Sequence, residues 1–261
     1  MSEAMMMSHV DPVPMPGIRR IGVGDIRSAL AAGWQDFLAI PTQLIFLGLL
    51  YPVIGFVAAR AARGDMLPLA FPLFAGLSLM GPLLAVGMYE LSRRREAGLP
   101  VSWRDAFGVL RSPAILGIAT LGVVLFITCG LWLGVARSIY TSSMGPAAPV
   151  SIGAFADALM QTAAGHRLIL TGNAAGLLFA AFVVTISVFS FPMMLDRGCS
   201  PVLAVQTSIR AVLANPVTMV LWGMMVGALL VLGSLPLFVG LAVAMPVLGH
   251  ATWHLYRRTV E

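Results

Sequence analysis

Residues 81–96 read GPLLAVGMYELSRRRE, and residues 245–261 read MPVLGHATWHLYRRTVE. Each stretch has a proline in an apolar run, then an aromatic residue, a polar residue and a pair of arginines. The aromatic and polar pairs are Tyr89–Glu90 and Trp253–His254. An apolar run that stops at arginines is typical of a membrane-spanning helix that ends at the cytoplasmic surface. The two copies therefore predict two helices with the same orientation.

The composition of the whole chain also favours a membrane protein. Of the 261 residues, 59% are hydrophobic and only 10% are charged, and the mean hydropathy is +0.92. A soluble domain of this length needs far more charge to cover its surface. All 16 basic residues are arginines, and they are not clustered as nucleic-acid binding would require. We therefore expect membrane lipids, and not a nucleic acid, as the surroundings of this chain.

Six apolar runs are long enough to cross a bilayer as helices, at about 20 residues each. They lie at 39–59, 67–91, 114–136, 169–195, 216–233 and 235–255. The last two divide one long uncharged run, because Gly233-Ser234 supplies a turn and Pro236 suits the first turn of a new helix. Residues 1–20 are expected to be a flexible cytoplasmic tail, and residues 21–261 a single membrane domain.

The arginines in the loops predict the orientation of the helices. If both ends are cytoplasmic, only four of the 16 arginines fall on the outer side: Arg60, Arg63, Arg137 and Arg167. The other twelve are on the inner side, as the positive-inside rule requires. This bias predicts a multi-pass protein of a bacterial inner membrane with both termini in the cytoplasm.

A segment of several helical turns precedes the first, third and fifth spans, and each segment ends at a proline. The three segments are DIRSALAAGWQDFLAIP (25–41), SWRDAFGVLRSP (102–113) and PVLAVQTSIRAVLANP (201–216). Apolar residues at helical spacing predict amphipathic helices in the cytoplasmic headgroup layer. The predicted fold is therefore all-α, with three repeats of an interfacial helix, an outward helix and an inward helix. The repeats cover about 24–96, 99–197 and 200–261.

In the first of these segments the pattern predicts which face is apolar. The apolar residues Ile26, Leu30, Trp34, Phe37 and Leu38 recur at helical spacing. They are placed opposite the polar residues Asp25, Gln35 and Asp36.

Three cytoplasmic elements resemble a known family. They are residues 81–96, SFPMMLDRGCSPVLAVQTSIRAVLANP (190–216) and PVLGHATWHLYRR (246–258). They resemble the bacterial integral membrane proteins called the domain of unknown function 2189 family, over nearly the whole chain beyond the first twenty residues. The resemblance implies a six-helix inner-membrane protein and carries no residue roles.

Glu90, His250 and His254 are the candidate metal or haem ligands. His250 and His254 are four residues apart, so they share a helical face, and Glu90 matches His254 in the repeat. Two histidines and a carboxylate can bind a divalent metal, and two histidines could ligate haem.

The alternative interpretation of the same region is an anchor at the membrane surface. Glu90 precedes Arg93 and Arg94 in the order that favours helical ion pairs, and aromatic residues are enriched at membrane interfaces. The predicted lipid or interface anchors are Arg93, Arg94, Arg95, Trp253, Tyr256, Arg257 and Arg258.

These observations favour a non-catalytic accessory or scaffold protein that contacts lipid, another membrane complex or a second copy of itself. No cofactor and no enzymatic activity are expected. One alternative is a permease for small molecules or lipids, although no charged residue lies in the middle of a predicted span, where coupled transporters commonly carry one. The second alternative is a metal- or haem-binding membrane protein that uses Glu90, His250 and His254.

Overall fold

The structure is a computed structural model that describes residues 15–40, 42, 48, 51, 53, 54, 56, 67–147, 149 and 151–261. The predicted first span, 39–59, lies outside the described residues except for isolated positions, as does most of the predicted tail. Within the described ranges the regular structure is helical, and the only β-type pairing is one isolated bridge. The all-α class is confirmed for this part of the chain.

The described residues contain eleven α-helices and two 3₁₀ helices. In chain order they are α1 (Val23–Ala39), η1 (Leu67–Leu69), α2 (Ala70–Leu79), α3 (Gly81–Leu84), α4 (Val86–Glu96), η2 (Trp103–Arg111), α5 (Ile115–Met144), α6 (Ile152–Gln161), α7 (Ala163–Ser187), α8 (Ser190–Arg197), α9 (Pro201–Ala214), α10 (Pro216–Ser234) and α11 (Leu241–Thr259).

Three helical stretches are long and apolar enough to cross a membrane: Ile115–Met144, Ala163–Arg197 and Pro216–Ser234. They coincide with the third, fourth and fifth predicted spans. Two of the predicted interfacial segments also form helices, α1 and α9, and the third forms η2.

Prolines interrupt two of the three helical stretches that end at the arginine-rich end of the structure, which carries Arg93–Arg95, Arg197 and Arg257–Arg258. A proline cannot donate the backbone hydrogen bond to the carbonyl four residues earlier, so it breaks or kinks a helix. The predicted span 67–91 is accordingly divided at Met80 and Ala85, on either side of Pro82. Pro246 lies inside α11, which continues through it.

The break between α7 and α8 is bridged by a side chain from α9. Pro192 follows this break, and the turn residues are Val188 and Phe189. The Ser208 hydroxyl accepts from the amide of Phe189 (3.3 Å) and donates to the carbonyl of Thr185 (2.8 Å). Those are the two groups that a continuous helix would pair with each other. Ser208 therefore holds the kink and satisfies both of its backbone groups.

The sixth predicted span begins later than the sequence suggested. Pro236 was expected to open the helix, but the chain turns through 235–240, and α11 starts at Leu241. Leu237 and Phe238 have φ values of 51° and 65°, which no helix residue adopts. The turn brings Gly240 against Gly233, where an added Cβ would lie 2.8 Å from the Gly233 Cα. This close approach of α10 and α11 sets the helix start.

The core lies around α4, the α7–α8 break and the second half of α11. Continuous buried stretches run over 88–92 in α4, 186–195 across the α7–α8 break and 246–253 in α11. α11 is in contact with α1, α4 and α8, and α4 also packs on α8. The C-terminal half of α11 is therefore enclosed by other helices.

The two ends of the described chain lie side by side. Ile18 and Val260 form an isolated antiparallel bridge. The amide of Arg19 donates to the carbonyl of Thr259 (2.9 Å), and the amide of Glu261 donates to the carbonyl of Gly17 (3.0 Å).

Candidate functional site

A buried polar cluster joins α1, α4 and α11 at the arginine-rich end. At its centre is Asp36 of α1, which is only 5% exposed. α4 contributes Ser92 and Arg95, and α11 contributes His250 and His254. Ser92 and His250 are completely buried.

The Asp36 carboxylate accepts hydrogen bonds on both of its oxygens. Oδ2 accepts from the Ser92 hydroxyl (2.6 Å) and from Nε2 of His254 (2.8 Å). Oδ1 accepts from Nη1 of Arg95 (2.9 Å), and the same nitrogen donates to the carbonyl of Gln35 (2.8 Å). Such charge-assisted hydrogen bonds are about twice as strong as neutral ones. The cluster therefore ties α1 to both α4 and α11.

The hydrogen-bond pattern also assigns the tautomer of His250. Its Nδ1 lies 2.8 Å from the Ser92 hydroxyl oxygen. Because Ser92 has one hydrogen and donates it to Asp36, Nδ1 of His250 must carry the proton and donate to Ser92. Nε2 of His250 is then the unprotonated nitrogen, and it has no hydrogen-bond partner among the described residues.

Asp36 remains ionised in these surroundings. Burial opposes the ionised form, but hydrogen bonds from His254 and Ser92 outweigh it and hold the pKa of the carboxyl below its usual range. The adjacent Arg95 guanidinium balances the negative charge.

A second polar cluster joins the ends of α4, α8 and α11. The Glu96 carboxylate accepts from Nε1 of Trp253 and from Nε of Arg257, each at 3.0 Å. The hydroxyl of Tyr256 donates to Asp196 (2.7 Å) and accepts from Nε of Arg197 (3.1 Å). Burial and the neighbouring Asp196 both raise the pKa of the Tyr256 phenol, so it stays protonated as a donor.

The structure brings both predicted histidines together, but with Asp36 in place of Glu90. Glu90 forms an ion pair with Arg93 (2.8 Å) and faces Gly108 of η2. Ser92, which contacts His250, comes two residues after Glu90 in α4. Two residues turn a helix by about 200°, so Ser92 and Glu90 face nearly opposite directions. Among the described residues no group of three or more His, Cys, Asp or Glu side chains could hold a metal ion. The predicted ligand trio is therefore not assembled.

The predicted anchor arginines are all engaged in ion pairs inside the protein. The pairs are Arg93–Glu90 (2.8 Å), Arg94–Asp105 (3.4 Å), Arg95–Asp36 (2.9 Å), Arg257–Glu96 (3.0 Å) and Arg258–Asp25 (3.7 Å). Four of these five pairs connect different elements, so the arginines hold the helix ends together.

Trp253 and Tyr256 are not at the protein surface. Trp253 is 1% exposed and Tyr256 0% exposed, and both donate hydrogen bonds to acidic side chains. Their interpretation as lipid-facing anchors is corrected accordingly, because aromatic rings enclosed by helices have no contact with lipid.

The sequence interpretation missed Asp36 because α1 has two apolar faces. The five apolar residues were assigned to one face, but Ile26 and Phe37 are buried in the protein while Trp34 and Leu38 are exposed. Asp36 lies beside Phe37 on the protein-facing side, and small residues at 29 and 33 complete that side. The spacing of Ile26, Ala29, Gly33 and Phe37 was the signal for a helix-packing face.

A comparison with protein families connects this architecture to a membrane family. Residues 70–196 match the family described as predicted integral membrane protein (DUF2189). The match includes η2 and two of the three long apolar stretches, and it ends before α9, α10 and α11. No curated relative and no solved structure matches the chain. The resemblance seen in the sequence is therefore confirmed over residues 70–196, where the chain matches the DUF2189 family of predicted integral membrane proteins.

Proposed function

We propose that this protein is a non-catalytic accessory or scaffold protein of a bacterial inner membrane, crossing it six times in three repeats with both ends in the cytoplasm. The observation that carries the proposal is the hydrogen-bond network around Asp36. A carboxylate that accepts from Ser92, His254 and Arg95 has about three of its four accepting positions occupied by the protein itself. Such a group fixes helices in place and is poorly suited to accept a proton from a substrate.

The adjacent chain ends support the proposed topology. The Ile18–Val260 bridge holds both ends of the described chain together, and two ends on one side of a bilayer require an even number of crossings. The ends of α4, α8 and α11 meet at that same side, as three inward helices of a parallel repeat would. The predicted span at 39–59, which lies outside the described residues, is needed to complete six crossings.

The rigidity of the arginine-rich end supports a scaffold role. The Arg95–Asp36 pair connects α4 to α1 through a buried acid and resists rearrangement, because removing Arg95 leaves a buried charge uncompensated. A rigid end presents a constant surface to lipid or to a membrane complex. A catalytic or transporting site would instead need a reactive group that is accessible to substrate.

Proton-flux measurements test the non-transporting role. Purified wild-type protein, the Asp36→Asn variant and the Asp157→Asn control are reconstituted into vesicles that contain a pH-sensitive dye. Asp157 is exposed on α6. All three preparations should dissipate an imposed pH gradient no faster than protein-free vesicles. Faster dissipation by wild type and by Asp157→Asn, lost in a folded Asp36→Asn variant, would show that Asp36 moves protons and that the proposal is wrong.

Reporter fusions test the topology. A reporter active only in the cytoplasm should be active at both chain ends and inactive when inserted near residue 146, between α5 and α6. Activity at one end only would overturn the six-crossing arrangement.

A further inference from the structure

η2 presents an exposed apolar face beside two arginines. A 3₁₀ helix has three residues per turn, and the exposed side includes Phe107 and Leu110, which are 54% and 68% exposed. Trp103 opens the helix three residues before Ala106, but its side chain is 43% exposed and its ring lies 6.4 Å from that of Phe107, beside the exposed face. The opposite side carries Val109, which is buried, and Ala106, which packs against Gly87 of α4.

The protein holds this face in a fixed position. Asp105 accepts from the backbone amide (2.7 Å) and the hydroxyl (2.9 Å) of Ser102, which caps the helix start. Asp105 also pairs with Arg94 of α4 at 3.4 Å. A Cβ added at Gly87 would lie 3.1 Å from the Cβ of Ala106, so η2 and α4 are in close contact. The outward face is therefore built into the fold and is not a loose loop.

The arginines of η2 differ from the predicted anchors of α4. Arg104 and Arg111 are exposed, and neither forms an ion pair with another residue that the structure describes. The Arg104 guanidinium lies 5.4 Å from the centre of the Trp103 ring, a geometry that keeps the cation next to the aromatic face. Arg93, by contrast, is paired with a carboxylate. Around η2, the arginines directed away from the protein are therefore Arg104 and Arg111.

The location of η2 indicates what this face meets. α5, one of the three long apolar helices, starts at Ile115, four residues after Arg111. Leu116, in its first turn, is 79% exposed. η2 thus lies where an apolar helix begins, which is the depth of the lipid headgroups if α5 crosses the membrane. Amphipathic segments with aromatic residues and arginines bind at this depth, particularly to anionic lipid.

We propose that η2 is the site at which this protein binds anionic phospholipid. Trp103, Phe107 and Leu110 enter the boundary between headgroups and acyl chains, and Arg104 and Arg111 bind lipid phosphate. The proposal rests on the proposed membrane role and specifies its lipid contact.

Fluorescence quenching by brominated lipids tests this directly. The full chain is reconstituted into phosphatidylcholine vesicles in which a minor fraction is brominated phosphatidylglycerol or, in parallel, brominated phosphatidylcholine. The signal of Trp103 is the difference between a preparation and its Trp103→Phe counterpart. Trp103 should be quenched by both lipids and more strongly by brominated phosphatidylglycerol.

The same quenching of Trp103 fluorescence tests the role of Arg104 and Arg111. Arg104→Gln with Arg111→Gln should remove the excess quenching by the anionic lipid, with the preference falling about fivefold for each arginine lost. Arg104→Lys with Arg111→Lys keeps the charges and should retain it. The control, Arg137→Gln with Arg167→Gln, changes two exposed arginines outside η2 and should also retain it.

Three results would overturn the proposal. If neither lipid quenches Trp103, the face lies outside the bilayer and is covered by protein or water. Equal quenching by the two lipids, or an excess that survives in the glutamine variant, would show that the arginines do not select anionic lipid. Proton flux and reporter topology are measured separately, so failure of the membrane role is distinguishable from failure of this lipid site.

Discussion

Gly33 of α1 lies directly against the backbone of Ala251 in α11: a Cβ added to Gly33 would be 2.6 Å from the Ala251 amide nitrogen. The two helices cross so closely here that only glycine fits. This contact is next to Asp36 and positions it between the two histidines of α11.

Gly33→Ala should therefore destabilise the protein. Alanine normally favours a helix over glycine by about 1 kcal/mol, but here the methyl group meets backbone that can move only by separating α1 from α11. We expect a lower Tm in mild detergent. Gly24→Ala, in the same helix with nothing within 4 Å of the added Cβ, should leave the Tm unchanged or raise it. A Gly33→Ala protein as stable as wild type would contradict the close crossing.

Asp36→Asn should lower the stability by roughly 2 kcal/mol or more, because buried charge-assisted hydrogen bonds are lost. The pKa of Asp36 is depressed, so its contribution is present above the unfolded pKa of about 4. That contribution disappears as the pH falls through the lower, folded pKa. Wild-type stability relative to Asp36→Asn should thus be constant near neutrality and diminish below about pH 4. Denaturation of both proteins across this range measures the difference; a difference that grows on acidification would refute the assignment.

Ser208→Ala should weaken the kink between α7 and α8. The variant leaves the Phe189 amide and the Thr185 carbonyl without their bridge, at a cost of about 1–3 kcal/mol. Hydrogen exchange at the Phe189 amide should become faster. Ser142→Ala removes an exposed hydroxyl that bonds only to its own helix and should change neither exchange nor Tm. Unaltered exchange at Phe189 in Ser208→Ala would show that the hydroxyl is not holding the break.

Tyr256→Phe and Asp196→Asn should act on the same interaction. Tyr256→Phe removes the donor of the 2.7 Å hydrogen bond between α11 and α8, and Asp196→Asn removes the charge of its acceptor. The double variant should therefore be less destabilised than the sum of the two single variants, by about 0.5–3 kcal/mol. A double-mutant cycle from chemical denaturation measures this coupling, and simple additivity would count against a direct bond.

The residue patterns predicted where the helices lie better than they predicted the contacts between helices. Apolar length identified the third span at 114–136, which coincides with the helix at 115–144. The start of α11 could not be predicted, because it depends on Gly240 meeting Gly233, a tertiary contact that overrides the preference of Pro236 for a helix start.

The polar clusters were harder to predict for a similar reason. A carboxylate on an amphipathic helix usually faces water, and only the partners of Asp36 on α4 and α11 make its burial favourable. His250 and His254 were correctly placed on one helix, but repeat symmetry suggested Glu90 as their partner. The actual carboxylate comes from α1, outside the compared stretches.

The contact between Asp36 and His254 joins residues separated by 218 positions. α1 therefore leaves the ribosome long before α11. During synthesis Asp36 has no partner on α11 until that helix has been made. Biogenesis of this protein thus includes a late closing step, and a nascent chain stalled before α11 exposes a charged, incompletely packed helix to chaperones and proteases.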